Sequence, residues 1–342
     1  MWRKEMWRYC YQLVPQSKVY HFSIAVFKWS GAFCMILMAS ICLTASGLNS
    51  NKEILSKTSS NDTLIFVSDT QAPLFVERFI HKTPYNQVAT KMIFNDILSK
   101  RPRYVFLLGD IVAAGSKPRR WLKVDQFLDS IRKNKGNVWA CLGNHEYIYN
   151  ARNGVKAFQK RFPEHSKTGY YVIRDSIAVV LMNSNFSKLT TEEQSKQKQF
   201  YTTTMAALDK NDSVKTIIVT CHHSPYSNSL VVGSNMKARE TFAKPFLKTT
   251  KGKLFLSGHS HNFEHFKIEG KTFLVIGGGG GIGQNLNTKS NRIACENDDC
   301  HPLFHYLMVK RNANHLSIII REVKSDLKNF NNVLNLKLNL KD

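Results

Sequence analysis

Five short polar clusters in this chain carry the side chains that chemistry needs, and they come in a clear order. Asp69-Thr70-Gln71 is followed by Gly109-Asp110, then Gly143-Asn144-His145-Glu146, then His222-His223-Ser224-Pro225, then Gly258-His259-Ser260-His261. Together they offer two aspartates (Asp69, Asp110), two carboxamides (Gln71, Asn144) and several imidazoles, with no set of thiolates. Oxygen and nitrogen donors of this kind suit manganese, iron or zinc in a working site rather than a structural zinc knot. A carboxylate such as Asp110 has two oxygens and can bridge two ions. Two ions about 3.5–4 Å apart can activate a water and clamp a phosphoryl oxygen.

Taken singly, the clusters are weak signals. An Asp-Thr-Gln or a Gly-Asp is usually a turn, and a lone His is more often a hydrogen-bonded structural residue. Their placement gives them weight. Each follows an apolar run of strand length: Leu64–Val67, Tyr104–Leu108, Val138–Leu142, Thr216–Val219 and Leu254–Leu256. In open α/β sheets, ligands bind beyond the carboxyl ends of the strands, and five such ends can converge on one point.

Between these runs lie helical patterns. One carries Val88, Met92 and Ile97. A second carries Trp121, Val124, Phe127, Leu128 and Ile131, with Ser116 and Pro118 as its cap and first-turn residue. A polar helix spans about Glu192–Leu208, and another runs from Met236 to Leu247. Tyr170–Arg174 and Ile177–Met182 read as a hairpin around Asp175-Ser176, and Leu303–Val309 and Leu316–Ile320 as another around Asn312-Ala313-Asn314. Strand–helix–strand alternation implies an α/β core. With no internal repeat, the simplest partition has a polar linker at 48–61, one catalytic domain at 62–325 and a polar tail at 326–342.

The ordered blocks resemble those of the calcineurin-like metallophosphoesterase superfamily over roughly residues 62–280, and the stretch from His222 to Asn262 is most similar to its purple acid phosphatase branch. The resemblance implies an α/β/β/α sandwich: two mixed β-sheets flanked by helices. It also implies two divalent metals, one held by Asp69, Gln71, Asp110 and His261, the other by Asp110, Asn144, His222 and His259. By the same resemblance a hydroxide on the metals attacks phosphorus, and His145 faces the phosphate and its leaving group without ligating metal. The implied substrate is a small phosphomonoester, with phosphodiesters and nucleotide diphosphates as the alternative.

Three positions depart from the family pattern. Most members have His where Gln71 stands; a carboxamide oxygen is a harder donor and favours manganese. Purple acid phosphatases place a tyrosine ligand three residues after the bridging aspartate, where this chain has Ala113. They also carry a second histidine where this chain has Val231, so an auxiliary substrate-binding group would fall to His223 or His265. Either of these can instead be a residue that orients a ligand. The run Gly277–Gly281 reads either as backbone open to a phosphate or as a turn between strands.

The 342 residues are 43% hydrophobic and 21% charged, which excludes a wholly disordered chain and a polytopic membrane protein. Lys and Arg number 48 against 25 acids. Residues 48–342 keep 43 bases and 24 acids, or +19, so the excess belongs to the body. That charge favours anionic partners. A basic protein binding nucleic acid or anionic lipid beside a degenerate site is the rival reading; the intact ligand set opposes it, and no specific nucleic acid is predicted.

Trp29–Asn51 is free of charge and follows a basic lead. Residues 1–47 therefore read as a signal peptide or an uncleaved membrane anchor (29–47), placing the body outside the cytoplasm, periplasmic or secreted. Cys295 and Cys300 bracket a loop short enough for a local disulfide, with two free thiols as the alternative. Cys141 and Cys221 read as core residues.

Overall fold

The unbroken apolar runs are explained by strands covered on both faces. In β1 (Thr63–Val67), Leu64 and Phe66 enter one core while Ile65 and Val67 enter another, and all four are fully buried. A computed structural model of the protein describes residues 63–74 and 85–340. These lie within the unit Asn51–Asp342. Residues 1–47, expected to be a signal or anchor, fall outside the described residues, and among those described no helix is long and apolar enough to cross a membrane.

Six strands form the first sheet. β1 lies parallel to β2 (Tyr104–Leu107), which lies parallel to β3 (Asn137–Ala140). On its other side β1 meets β11 (His305–Arg311) antiparallel, followed by β12 (His315–Val323) and β13 (Phe330–Asn339). The second sheet has seven strands in the order β10 (Cys300–His301), β8 (Phe263–Ile268), β9 (Lys271–Ile276), β7 (Gly252–Ser257), β6 (Thr216–Cys221), β5 (Ile177–Met182), β4 (Tyr170–Arg174). Both sheets are mixed.

Three apolar layers hold the sandwich. Leu64, Phe66, Phe106, Val179, Ile218, Leu254 and their neighbours fill the space between the sheets. Outside the first sheet, helices α1 (Asn86–Ser99) and α2 (Pro118–Lys133) bring Ile93, Phe94, Trp121 and Phe127 against Ile65 and Val67. Outside the second, α4 (Thr191–Lys210) and the helical segment from Met236 to Leu247 cover Val180, Ile217 and Phe255. This is the expected α/β/β/α arrangement.

Several sequence expectations need correction. The 326–342 stretch is not a tail: β13 pairs along β12, and Leu334, Leu336, Leu338 and Leu340 pack on the central core. Leucine at every second position is the pattern of a strand with one buried face. Ser116 does not cap α2; Lys117 occupies that position, and the Ser116 hydroxyl bonds to the Ile148 carbonyl instead. In α1, Val88 is 44% exposed, and the inward face is Ala89, Ile93, Phe94 and Ile97. Helix α3 (Ala151–Arg161) and strand β8 were not foreseen. Cys295 and Cys300 form a disulfide, while Cys141 and Cys221 are free and buried.

Candidate metal centre

The site is built where β1, β2, β3, β6 and β7 end. Backbone bonds lash these ends together: Asp69 N–H donates to the Gly109 carbonyl (3.1 Å), Gln71 N–H to that of Asp110 (3.1 Å), and Gly258 N–H to that of His222 (2.9 Å). Three of the residues so placed are not glycine yet have left-handed backbones: Asp69 (φ 60°), Asp110 (φ 47°) and His259 (φ 67°). Such conformations are costly for most side chains and persist where the surroundings over-determine them, often at functional sites. Gly143 has to be glycine, because a Cβ there would lie 2.2 Å from both Asp110 N and Asp110 Oδ1.

Of the ten site residues that the sequence proposes, nine are joined by short contacts; the tenth, His265, lies in β8. Asp69 Oδ1 is 3.4 Å from His261 Nε2, and Gln71 lies 3.2 Å from the same nitrogen. With its NH2 turned to the carbonyls of Asp69 (3.1 Å) and Asp110 (2.7 Å), the Gln71 amide presents its oxygen to His261. Asp110 Oδ2 is 3.3 Å from His222 Nε2 and 3.8 Å from His145 Nε2. Asn144 Oδ1 is 3.1 Å from His222 Nε2. Ligand atoms of Asp110, His222 and His259 all fall within 4.8 Å of one another, a group able to hold a metal ion. The rings of His223 and His259 have centroids 4.4 Å apart.

The donor set fits a cation. Asp69 Oδ1 is buried and accepts no hydrogen bond, an arrangement that is costly for a carboxylate unless positive charge meets it. His222 and His261 turn Nδ1 to backbone carbonyls, of Leu108 (3.0 Å) and Ile282 (2.9 Å). A carbonyl can only accept, so Nδ1 carries the proton and Nε2 is left as the ligating nitrogen. His145 also turns Nδ1 to a carbonyl, that of Ala113 (3.0 Å), so the residue that lacks a phenol orients this ring through its backbone.

The electrostatics agree. Burial opposes ionisation of Asp110, yet the His222 and His145 rings outweigh it and hold the carboxyl well below the usual range. Burial likewise opposes charge on His222, but Asp110 and Asp69 raise it to about 9. At His261 the Asp69 carboxylate overcomes burial and moves the ring the same way. Burial, with neighbouring imidazoles, lowers His259, and burial with His222 brings His223 to about 3. The carboxylates thus draw positive charge to the Asp110–His222 and Asp69–His261 pairs, while His259 and His223 stay neutral.

His223 Nδ1 meets the Ser184 hydroxyl (2.8 Å), which also accepts the His223 backbone N–H (2.8 Å). His265 is placed differently from the expectation. It points to the disulfide loop, with Asp299 carboxylate 4.0 Å away, and none of its contacts is with the metal-facing residues. The glycine run is the turn that follows β9, buried and held in place rather than open to phosphate. Gly279 and Gly281 N–H donate to the carbonyls of Ser68 and Asp69 (2.9 Å each), and a Cβ on Gly281 would come within 2.5 Å of the His261 ring.

Sequence reasoning gave no role to Glu146. Fully buried, it accepts the backbone N–H groups of Gly143 (2.7 Å), Ile111 (2.9 Å), Asp110 (3.0 Å) and Val112 (3.4 Å), and so clamps the loops after β2 and β3. Burial and nearby Asp110 push its pKa up to about 7. Its position three residues after Gly143 was the only available signal.

The fold and this site define a phosphoester hydrolase of the two-metal kind. The calcineurin-like phosphoesterase family model matches residues 63–263, more than half of the chain, and the chain belongs to that family. Among solved structures it is similar to GAP50, the anchor in the inner membrane complex of Plasmodium, at 15% identity and TM-score 0.59, covering 82% of this chain and 90% of that one. It is similar to the purple acid phosphatase PPD1 of yellow lupin (Lupinus luteus), at 19% identity and TM-score 0.59, covering 78% of this chain and 52% of that one. It is also similar to a dimetal phosphatase from Danio rerio, at 12% identity and TM-score 0.52, covering 82% and 99%. At these identities the likeness is one of fold. Among curated protein sequences none matches this chain.

Proposed function

We propose that this protein is a manganese-dependent phosphomonoesterase. The observation that carries the reading is the convergence of Asp69, Gln71 and His261 on one side and Asp110, Asn144, His222 and His259 on the other, with a buried Asp69 oxygen that no donor meets. Asp110 would be shared by both ions. Bound there, two divalent ions supply an activated water and neutralise charge on the phosphoryl oxygens. His145 adjoins Asn144, with Nδ1 fixed on the Ala113 carbonyl, so Nε2 is the nitrogen able to give a proton to the leaving oxygen. The Gln71 oxygen and the absence of a phenol at Ala113 favour manganese and a colourless protein.

A screen of metal-replete protein against phosphomonoesters, phosphodiesters and nucleotide diphosphates tests the reading. Manganese-stimulated turnover of monoesters above the other two is expected, and Asp110→Asn should lose metal and turnover together. Preference for diesters or diphosphates would overturn the substrate assignment. A fully active Asp110→Asn protein retaining two metals would overturn the ligand assignment.

The basic lead and the uncharged Trp29–Asn51 run support export or membrane anchoring, and a disulfide accords with an oxidising compartment. A reporter active only outside the cytoplasm, fused after residue 60, should be active.

A further inference from the structure

A carboxylate unconnected with the chemistry lies behind the two histidines of the Gly258–His261 turn. Glu264, in β8, is 0% exposed, and among the described residues no lysine, arginine or histidine pairs with it. Burying a carboxylate without a cation is expensive, and an apolar residue would pack there at lower cost. What the carboxylate holds is therefore informative. Its Oε1 accepts the hydroxyls of Ser260 (2.7 Å) and Ser227 (2.7 Å), and its Oε2 accepts the Asn228 N–H (2.6 Å).

Each partner leads to the site. Ser260 sits between His259 and His261, and its hydroxyl also receives the Asn262 amide (3.0 Å). Ser227 and Asn228 belong to the loop that begins with His222 and His223. Asn228 continues the chain of contacts: its side chain donates to the Ile293 carbonyl (2.8 Å) and accepts the Ile293 N–H (2.9 Å), beside the Cys295–Cys300 disulfide. One buried group thus joins the two histidine loops and ties both to a crosslinked segment. The need for such a tie is visible in His259, whose φ of 67° has to be enforced from outside the residue.

We propose that Glu264 is a positioning residue that sets the divalent-metal affinity of the site by fixing His259 and His261 through Ser260, and the His222–His223 loop through Ser227 and Asn228. The inference rests on the reading of His222, His259 and His261 as ligands. Glu264 touches neither metal nor substrate, so its effect falls on metal binding and leaves the chemical step intact.

Glu264→Gln keeps the volume but turns one acceptor oxygen into a donor facing donors. Partners that orient metal ligands typically contribute about 10–100-fold in affinity. Mn2+ binding, measured by competition with a chromophoric chelator, should weaken about 10-fold or more. At saturating Mn2+, kcat should return to near wild type, with the KM for p-nitrophenyl phosphate changed less than about twofold, as expected when neither the chemical step nor substrate binding is touched. A Glu264→Gln protein that melts earlier in chelator yet binds Mn2+ as wild type does would show a merely structural role and overturn the proposal. So would a loss of kcat that no Mn2+ concentration restores. Should that variant not fold, Ser260→Ala removes a single hydrogen bond; Mn2+ binding weaker by about 2–10-fold is then expected, and unchanged binding refutes the proposal. Wild-type protein that takes up no Mn2+ would refute the ligand reading itself.

Discussion

His305 offers a pH test of the fold that is independent of the metal centre. It lies at the start of β11, 0% exposed, with Nδ1 on the Leu303 carbonyl (3.0 Å) and Nε2 without a partner. The Phe263 ring packs edge-on against it, with centroids 5.5 Å apart. Burial lowers its pKa from 6.5 to about 4. The folded protein then binds this proton less readily than the unfolded chain. The associated stability is complete above pH 6.5 and is lost progressively as pH falls toward 4. Between pH 7 and pH 4.5 the loss from this one group is about 2.5 kcal/mol. His305→Leu removes the titration and adds a packing change that does not depend on pH. Urea unfolding of wild type and variant, both in chelator, at the two pH values isolates the term. Acidification should cost the wild type about 2 kcal/mol more than the variant. Equal losses in both proteins would refute the reasoning.

His145→Ala should lower kcat by about 10²–10⁴-fold with metal content retained, and less for nitrophenyl than for alkyl phosphates, because a phenolate leaves without a proton; loss of metal would instead make His145 a ligand or a support. Replacing both Cys295 and Cys300 with Ser should cost about 2 kcal/mol in urea unfolding, the entropy of closing so short a loop. Gly143→Ala forces a Cβ into Asp110. It should destabilise by about 1–3 kcal/mol and sharply weaken metal uptake; a fully active, metal-loaded variant would contradict the packing described.

Most of the strands that bear the site were legible because each is buried on both faces and reads as an unbroken apolar run. The ligand clusters were legible because polar residues at strand ends interrupt those runs. Where burial is one-sided or polar, the signal fades. β8 has Glu264 and His265 buried between Phe263 and Phe266; Glu264 is met in part by the distant Ser227–Asn228 loop, and His265 Nδ1 has no hydrogen-bond partner. In α3 only Gly154 and Phe158 are buried, too few to set a period. β13 does carry alternating leucines, but asparagine and lysine between them resemble an unstructured end. Glu146 and Glu264 were invisible as clamps because their partners are mainly backbone N–H groups and serine hydroxyls, which leave no trace in composition.

The strand order of the first sheet also governs the timing of assembly. β1 lies in the middle of that sheet, and Thr63 pairs with Lys310, so the first strand made waits for one of the last. At about 5–20 residues per second, roughly 10–50 s of synthesis separate the two. Through that interval one edge of β1 is an open row of donors and acceptors, the kind of edge that recruits other chains. Long-range closure of this sort also slows folding. Asp69, at the end of the same strand, gains its bond from Gly281 and the neighbourhood of His261 only once those residues exist. The metal-binding arrangement is therefore a late product of folding, and nascent chains lacking the last two hundred residues have no site to fill.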